Sequence, residues 1–134
     1  MPFVLDASVS AVWALADESS PIADIAAERL KTEIALVPRL WWYEIRNLLV
    51  INERRKRITA ADTAQFLALL ASYPIQVETL NGEDEAIFRS ARQYRLSFYD
   101  AAYFAVAQRH NLPLATLDGE LEAAAIAAGV SLIG

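Results

Sequence analysis

Phe3-Val4-Leu5-Asp6-Ala7-Ser8 is the stretch on which the fold of this chain turns. Three apolar residues of strand character run into a carboxylate, then a hydroxyl, then a helical pattern. That order reads as a buried first strand that delivers Asp6 to the open end of a sheet. In α/β sheets ligands bind beyond the carboxyl ends of the strands, so an acid there is a site candidate. The alternative is local: Asp6 or Ser8 caps the helix that follows. The choice depends on whether other acids arrive at the same place.

Downstream, prolines and turn residues divide the chain. A first helical segment runs from Ser8 to Ala16. Ser20-Pro21 is an N-cap followed by proline at the first helical position, opening a helix to about Lys31. Ile34–Val37 is a short apolar strand stopped by Pro38, and a long helix extends from about Arg39 to Arg55. Thr59 caps a helix that continues to Ser72 or Tyr73. Ile75–Glu78 is a strand, and Asn81-Gly82 begins a helix whose early acids suit the positive end of its dipole. Ser97 opens a helix through about His110. Leu114–Thr116 is a strand, Asp118–Ala128 a helix ending at Gly129, and Ser131–Ile133 a last strand. Strands alternate with helices or helix pairs over connections too long for hairpins. The expected architecture is a single α/β domain over residues 1–134, its central sheet mainly parallel, with helices on both faces.

Composition excludes several classes. Hydrophobic residues make up 55% of the 134 positions, which suits a packed core rather than disorder. No apolar run approaches the roughly 20 residues that cross a bilayer. The N-terminus lacks the basic region of a secretory signal, so a cytoplasmic location is expected. There is no cysteine, hence no disulfide, thiolate metal site or cysteine nucleophile. The net charge of −5 argues against broad nonspecific nucleic-acid binding, but not against an enzyme whose acids face a metal ion.

Three further acids are expected at the same edge of the sheet, two of them after a strand or at a helix start and one facing inward from a helix. At about 100° per residue, Glu44 falls among Leu40, Trp41, Asn47, Leu48 and Ile51, in the apolar stripe of its helix, whereas Arg39, Arg46, Glu53 and Arg57 lie opposite. A carboxylate placed there requires a cation or hydrogen-bond donors, a structural ion pair being the other reading. Asp100 lies in Ser97-Phe98-Tyr99-Asp100, which has capping-box spacing, at the start of a helix apolar nearly all round. Asp118 follows the strand Leu114–Thr116, repeating the geometry of Asp6; it caps the last helix or joins the site, with Glu120 a competitor for that role. Crowded carboxylates raise one another's pKa unless a counter-charge is present. Oxygen ligands without His or Cys suit Mg²⁺ or Mn²⁺, and phosphodiester hydrolysis is the natural chemistry of such a site.

Asp6-Ala7-Ser8, Trp42-Tyr43-Glu44-Ile45-Arg46-Asn47, Tyr99-Asp100-Ala101-Ala102 and Thr116-Leu117-Asp118 together resemble the ordered acidic motifs of PIN-domain nucleases, most of all the VapC toxins of bacterial toxin–antitoxin pairs. The resemblance covers essentially the whole chain. It implies a metal-dependent endoribonuclease that leaves a 5′-phosphate, with Asp6 and Asp100 as principal metal ligands and Glu44 and Asp118 completing the pocket. It further implies that Ser8, Asn47 and Thr116 support the pocket by hydrogen bonds, and that a VapB-type antitoxin and a second copy of the chain are partners. A housekeeping RNA-processing nuclease of the same family, or a noncatalytic binding module whose acids are caps and ion pairs, are the alternatives. A phosphohydrolase with Asp6 as nucleophile is disfavoured, because Ser8 stands where its second acid belongs.

Other features read more simply. Arg54-Arg55-Lys56-Arg57 suits a solvated helix end, and Arg89, Arg92 and Arg95 share one side of a helix. His110, the only histidine, has no catalytic partner in the pattern. Trp42, Ile45 and Leu49 make a second apolar stripe on the long helix, either buried within the monomer or part of a homodimer interface.

Overall fold

The computed structural model describes residues 1–78 and 84–134. Its elements are β1 (Phe3–Leu5), α1 (Ala7–Ala14), α2 (Pro21–Arg29), β2 (Ala35–Val37), α3 (Arg39–Arg54), α4 (Ala60–Ser72), β3 (Ile75–Val77), α5 (Asp84–Tyr94), α6 (Phe98–His110), β4 (Leu114–Ala115) and α7 (Gly119–Ala128). The helix start expected at Asn81-Gly82 lies outside the described residues.

Local chemistry sets the helix ends. The Ser20 hydroxyl accepts from the Ala23 amide with Pro21 in the first turn, and Thr59 and Asp62 form a reciprocal capping box. Asn111 and Gly129 end α6 and α7 in the left-handed conformation, which frees the last carbonyls to take bonds from beyond the helix. Helix α6 has no solvent stripe over Ala101–Ala107, all of which are buried, as its composition predicts.

The strands form one parallel sheet in the order β3-β2-β1-β4. Phe3, Val4 and Leu5 are all fully buried; since successive strand side chains point to opposite faces, both faces of β1 are covered. Parallel pairing sends every strand's carboxyl end to one edge. The chain leaves β1 toward β2 on one side while β4 lies on the other, so a crevice opens where the segments following β1 and β4 part.

Two expectations are corrected. Residues 131–133 do not form a strand: a single bridge links Leu114 to Leu132, through Leu114 N to Ser131 O (2.9 Å) and Ile133 N to Leu114 O (3.0 Å). Strand β4 is only two residues long, so no second pair of groups is offered to extend the ladder. On α3 the core row is Trp41, Ile45, Leu49 and Asn52. Ile45 and Leu49 therefore belong to the monomer core, while Trp42 is 45% exposed, with the Arg46 guanidinium 3.7 Å from its ring centre. The Trp42–Ile45–Leu49 stripe is not one surface, because a step of about 100° turns Trp42 away from the row begun by Trp41. Trp41 ties α3 to α1 by donating from Nε1 to Ser10 Oγ at 3.0 Å.

Candidate active site

Asp6 occupies the position preceding α1, in extended conformation, yet its side chain makes no cap bond. It is 4% exposed. Its Oδ2 accepts from Ser8 Oγ at 2.6 Å and from Thr116 Oγ1 at 2.8 Å. Both hydroxyls are themselves fixed, Ser8 Oγ accepting from Leu117 N and Thr116 Oγ1 from Asp118 N, each at 3.0 Å. This chain of bonds stitches the end of β1 to the end of β4, which is why the crevice between them is built around one carboxylate. Burial raises the Asp6 pKa; the hydroxyls of Ser8 and Thr116 oppose that shift, and the charge of Asp118 adds to it.

Asp118 caps α7, its Oδ1 accepting from Glu120 N at 2.9 Å and Leu121 N at 3.0 Å. Capping and membership of the acidic group are thus not alternatives for this residue. Asp100 stands in the first turn of α6, where its amide donates to Ser97 Oγ at 3.0 Å without the reciprocal bond that completes the box at Thr59 and Asp62. Burial, then the charges of Asp118 and Asp6, push its pKa up to about 6, with Glu120 a smaller contributor and Ser97 opposing.

Glu44 is half-buried on α3 and accepts from the Tyr103 hydroxyl at 2.8 Å. Burial raises its pKa, Tyr103 counteracts, and Asp6 and Asp100 raise it further. Tyr103 is fully buried, and the sequence pattern counts it only among the apolar residues of its helix, with no role in the site. A signal for it existed: it lies three residues after Asp100 on a buried helix, and a buried tyrosine hydroxyl needs a partner.

The fold therefore brings Asp6, Asp100 and Asp118 within electrostatic reach of one another and Glu44 within reach of Asp6 and Asp100, with Ser8 and Thr116 bonded to Asp6. Asn47 is exposed and, with Glu44, Leu48 and Ile51, lines a groove of about 460 Å³ between α1 and α3. His110 lies far along α6 from Asp100, with Nε2 2.6 Å from Glu78 Oε2. Arg57 of the basic run is held by Asp17 and Glu18.

The donor set is oxygen only, and no cation figures among the groups that shift Asp6, Glu44 and Asp100. Such a set suits a hard divalent ion. Among the described residues, no three acidic or histidine side chains already stand at metal-holding spacing. The bonds from the α7 amides to Asp118 and from Tyr103 to Glu44 engage one oxygen of each of those acids with protein partners.

Comparison with known proteins agrees with this fold. The sequence model described as PIN domain matches residues 3–127. No curated protein matches the chain. Among solved structures, PAE2754 from Pyrobaculum aerophilum is similar over 92% of this chain and 84% of its own, at 28% identity and a TM-score of 0.71. Mycobacterium tuberculosis VapC20, described as a toxin that cleaves the sarcin–ricin loop, is similar over 91% of this chain and 94% of its own. At 20% identity and a TM-score of 0.66, the VapC20 match speaks for the fold alone. With a parallel sheet in the order β3-β2-β1-β4, acids gathered after β1 and β4, and a sequence match over residues 3–127, the chain belongs to the PIN domain family.

Proposed function

We propose that this chain is a Mg²⁺- or Mn²⁺-dependent endoribonuclease, the toxin of a type II toxin–antitoxin pair. PIN domains are generally nucleases, and a protein of related fold, VapC20, is described as a sarcin–ricin loop cleaving toxin. The observation that carries the reading is Asp6: a buried carboxylate oriented by two hydroxyls, its charge felt by Glu44 and Asp100 and itself shifted by Asp118, with no cation among the groups that shift it. In that reading Asp6 and Asp100 are the principal ligands, and Glu44 and Asp118 complete the acidic group. A divalent ion held there would supply a water of lowered pKa and neutralise charge on the scissile phosphate.

The chain's own residues prepare for that chemistry. Ser8 and Thr116 leave Asp6 one settled orientation and favour its ionised form. Tyr103 does the same for Glu44. Asp100 has only Ser97 to oppose burial and the charges of Asp118 and Asp6, so a cation bound there would favour its ionised form further. A VapB-type antitoxin, an RNA substrate, a homodimer and a cytoplasmic location complete the proposal.

The test is RNA cleavage by the purified chain with Mn²⁺, its loss in EDTA, and its loss in Asp6→Asn while circular dichroism shows a folded protein. Full activity in Asp6→Asn would overturn the site. Cleavage combined with harmless expression in the absence of any antitoxin would favour a housekeeping nuclease of the same family.

A further inference from the structure

Beside the acidic group, helices α5 and α6 leave aromatic rings at the surface. Phe88 on α5 is 47% exposed and Phe98, the first residue of α6, is 38% exposed. Their ring centres are 4.9 Å apart at 57°, and the Arg92 guanidinium lies 5.5 Å from the centre of the Phe88 ring. Tyr99, 64% exposed, follows Phe98 and immediately precedes Asp100. Arg89 and Arg95 are exposed nearby in sequence. Residues 95–97 connect α5 to α6, so the cationic end of α5 is the end next to Phe98, while Asp84 and Glu85 lie at its far end.

From this arrangement we infer that Phe88, Phe98 and Tyr99, with Arg92 and Arg95, form a stacking surface for unpaired nucleotides of an RNA strand entering the acidic site. The inference rests on the nuclease reading and adds the surface that would hold the strand outside the acidic site. Base faces cover exposed aromatic rings without regard to sequence, and arginine forks fit the phosphates between them. Unpaired RNA can splay its bases onto such rings; paired RNA cannot. Charge favours a polyanion: Arg89, Arg92 and Arg95 are exposed on or just after α5, and Tyr99 leads directly to Asp100.

The test uses the full chain carrying Asp6→Asn, in EDTA, with fluorescein-labelled oligouridine and a duplex of equal length, read by anisotropy. Phe88→Ala should weaken single-strand binding about tenfold and leave duplex binding unchanged, and Phe88→Trp should restore it. Arg92→Ala should lower the slope of log affinity against log salt by about 1. Equal single-strand binding in Phe88→Ala and its parent overturns the proposal. So does a dimer-to-monomer change in sedimentation with unchanged RNA affinity, which would make the surface a protein interface. Aromatic-dependent binding by a chain whose wild type cuts no RNA would uphold the surface and remove the nuclease reading. Cleavage by the wild type with an indifferent Phe88→Ala would do the reverse.

Discussion

The Tyr103 hydroxyl donates to Glu44 Oε1 at 2.8 Å, joining α6 to α3 across 59 residues. Tyr103→Phe keeps the buried ring and removes only this donor from a half-buried carboxylate. The expected cost is about 1–2 kcal/mol in urea unfolding. If the bond also orients Glu44, kcat for RNA cleavage should fall about tenfold with KM little changed, since ground-state binding would be retained. Loss of stability with kcat intact would reduce Tyr103 to a packing residue.

Thr116 donates to Asp6 and accepts from the Asp118 amide, so it serves two neighbours with one buried hydroxyl. Thr116→Val leaves both short of a partner and should cost about 1–3 kcal/mol, whereas Thr116→Ser should be close to wild type. Thermal melts of the two variants separate the hydroxyl from the methyl. Ser8→Ala removes the second donor to Asp6 and should depress cleavage more than stability, because the Leu117 amide it releases is exposed.

Asp100 makes metal-free stability depend on pH. Its pKa is about 6 in the folded chain against the ordinary 3.8 of an aspartate, so folding favours its neutral form. The stability this contributes is fully present below pH 3.8 and is lost as pH rises through about 6. Because Asp100 is partly exposed, solvent screening reduces the amount to about 1 kcal/mol. Asp100→Asn should therefore flatten the fall in Tm between pH 4 and pH 7 in EDTA, raise Tm at pH 7, and stop cleavage. Parallel pH profiles for the two proteins would contradict the crowding of acids around Asp100.

Asp118 both caps α7 and adds charge to the acidic group, and two substitutions divide these tasks. Asp118→Asn retains an acceptor for the α7 amides; Asp118→Ala does not and should lose about 1 kcal/mol of stability. Both should impair cleavage if the charge matters to the site. Glu120→Gln, at an exposed position that influences Asp100 only weakly, should impair it less. An active Asp118→Asn would leave Asp118 as a cap alone.

Metal linkage provides a test independent of turnover. Mn²⁺ at about 100 times its dissociation constant should stabilise the wild type by about 2.7 kcal/mol, seen as a rise in Tm. Asp6→Asn should abolish most of that rise. A Tm indifferent to Mn²⁺ in the wild type would favour the noncatalytic binding module.

What the sequence by itself determined was local or periodic. Phe3-Val4-Leu5 announced a strand covered on both faces because every residue is apolar. Ser20-Pro21, Thr59 and Ser97 marked helix starts because a cap bonds an amide only a few residues away. The order of strands and helices then left a parallel sheet as the economical solution, and the acids after β1 and β4 were visible as acids after strands. Tertiary structure alone decided which tryptophan of Trp41-Trp42 enters the core, since a difference of one residue in phase is set by the neighbours α3 packs against. It also decided that Asp6 is held by Ser8 and Thr116 rather than capping α1, and that Glu44 finds its donor in Tyr103. Residues 6 and 116 are 110 apart in sequence. Their hydrogen bond depends on β1 and β4 pairing in one register, Val4 opposite Leu114 and Leu5 opposite Ala115, which no local pattern encodes.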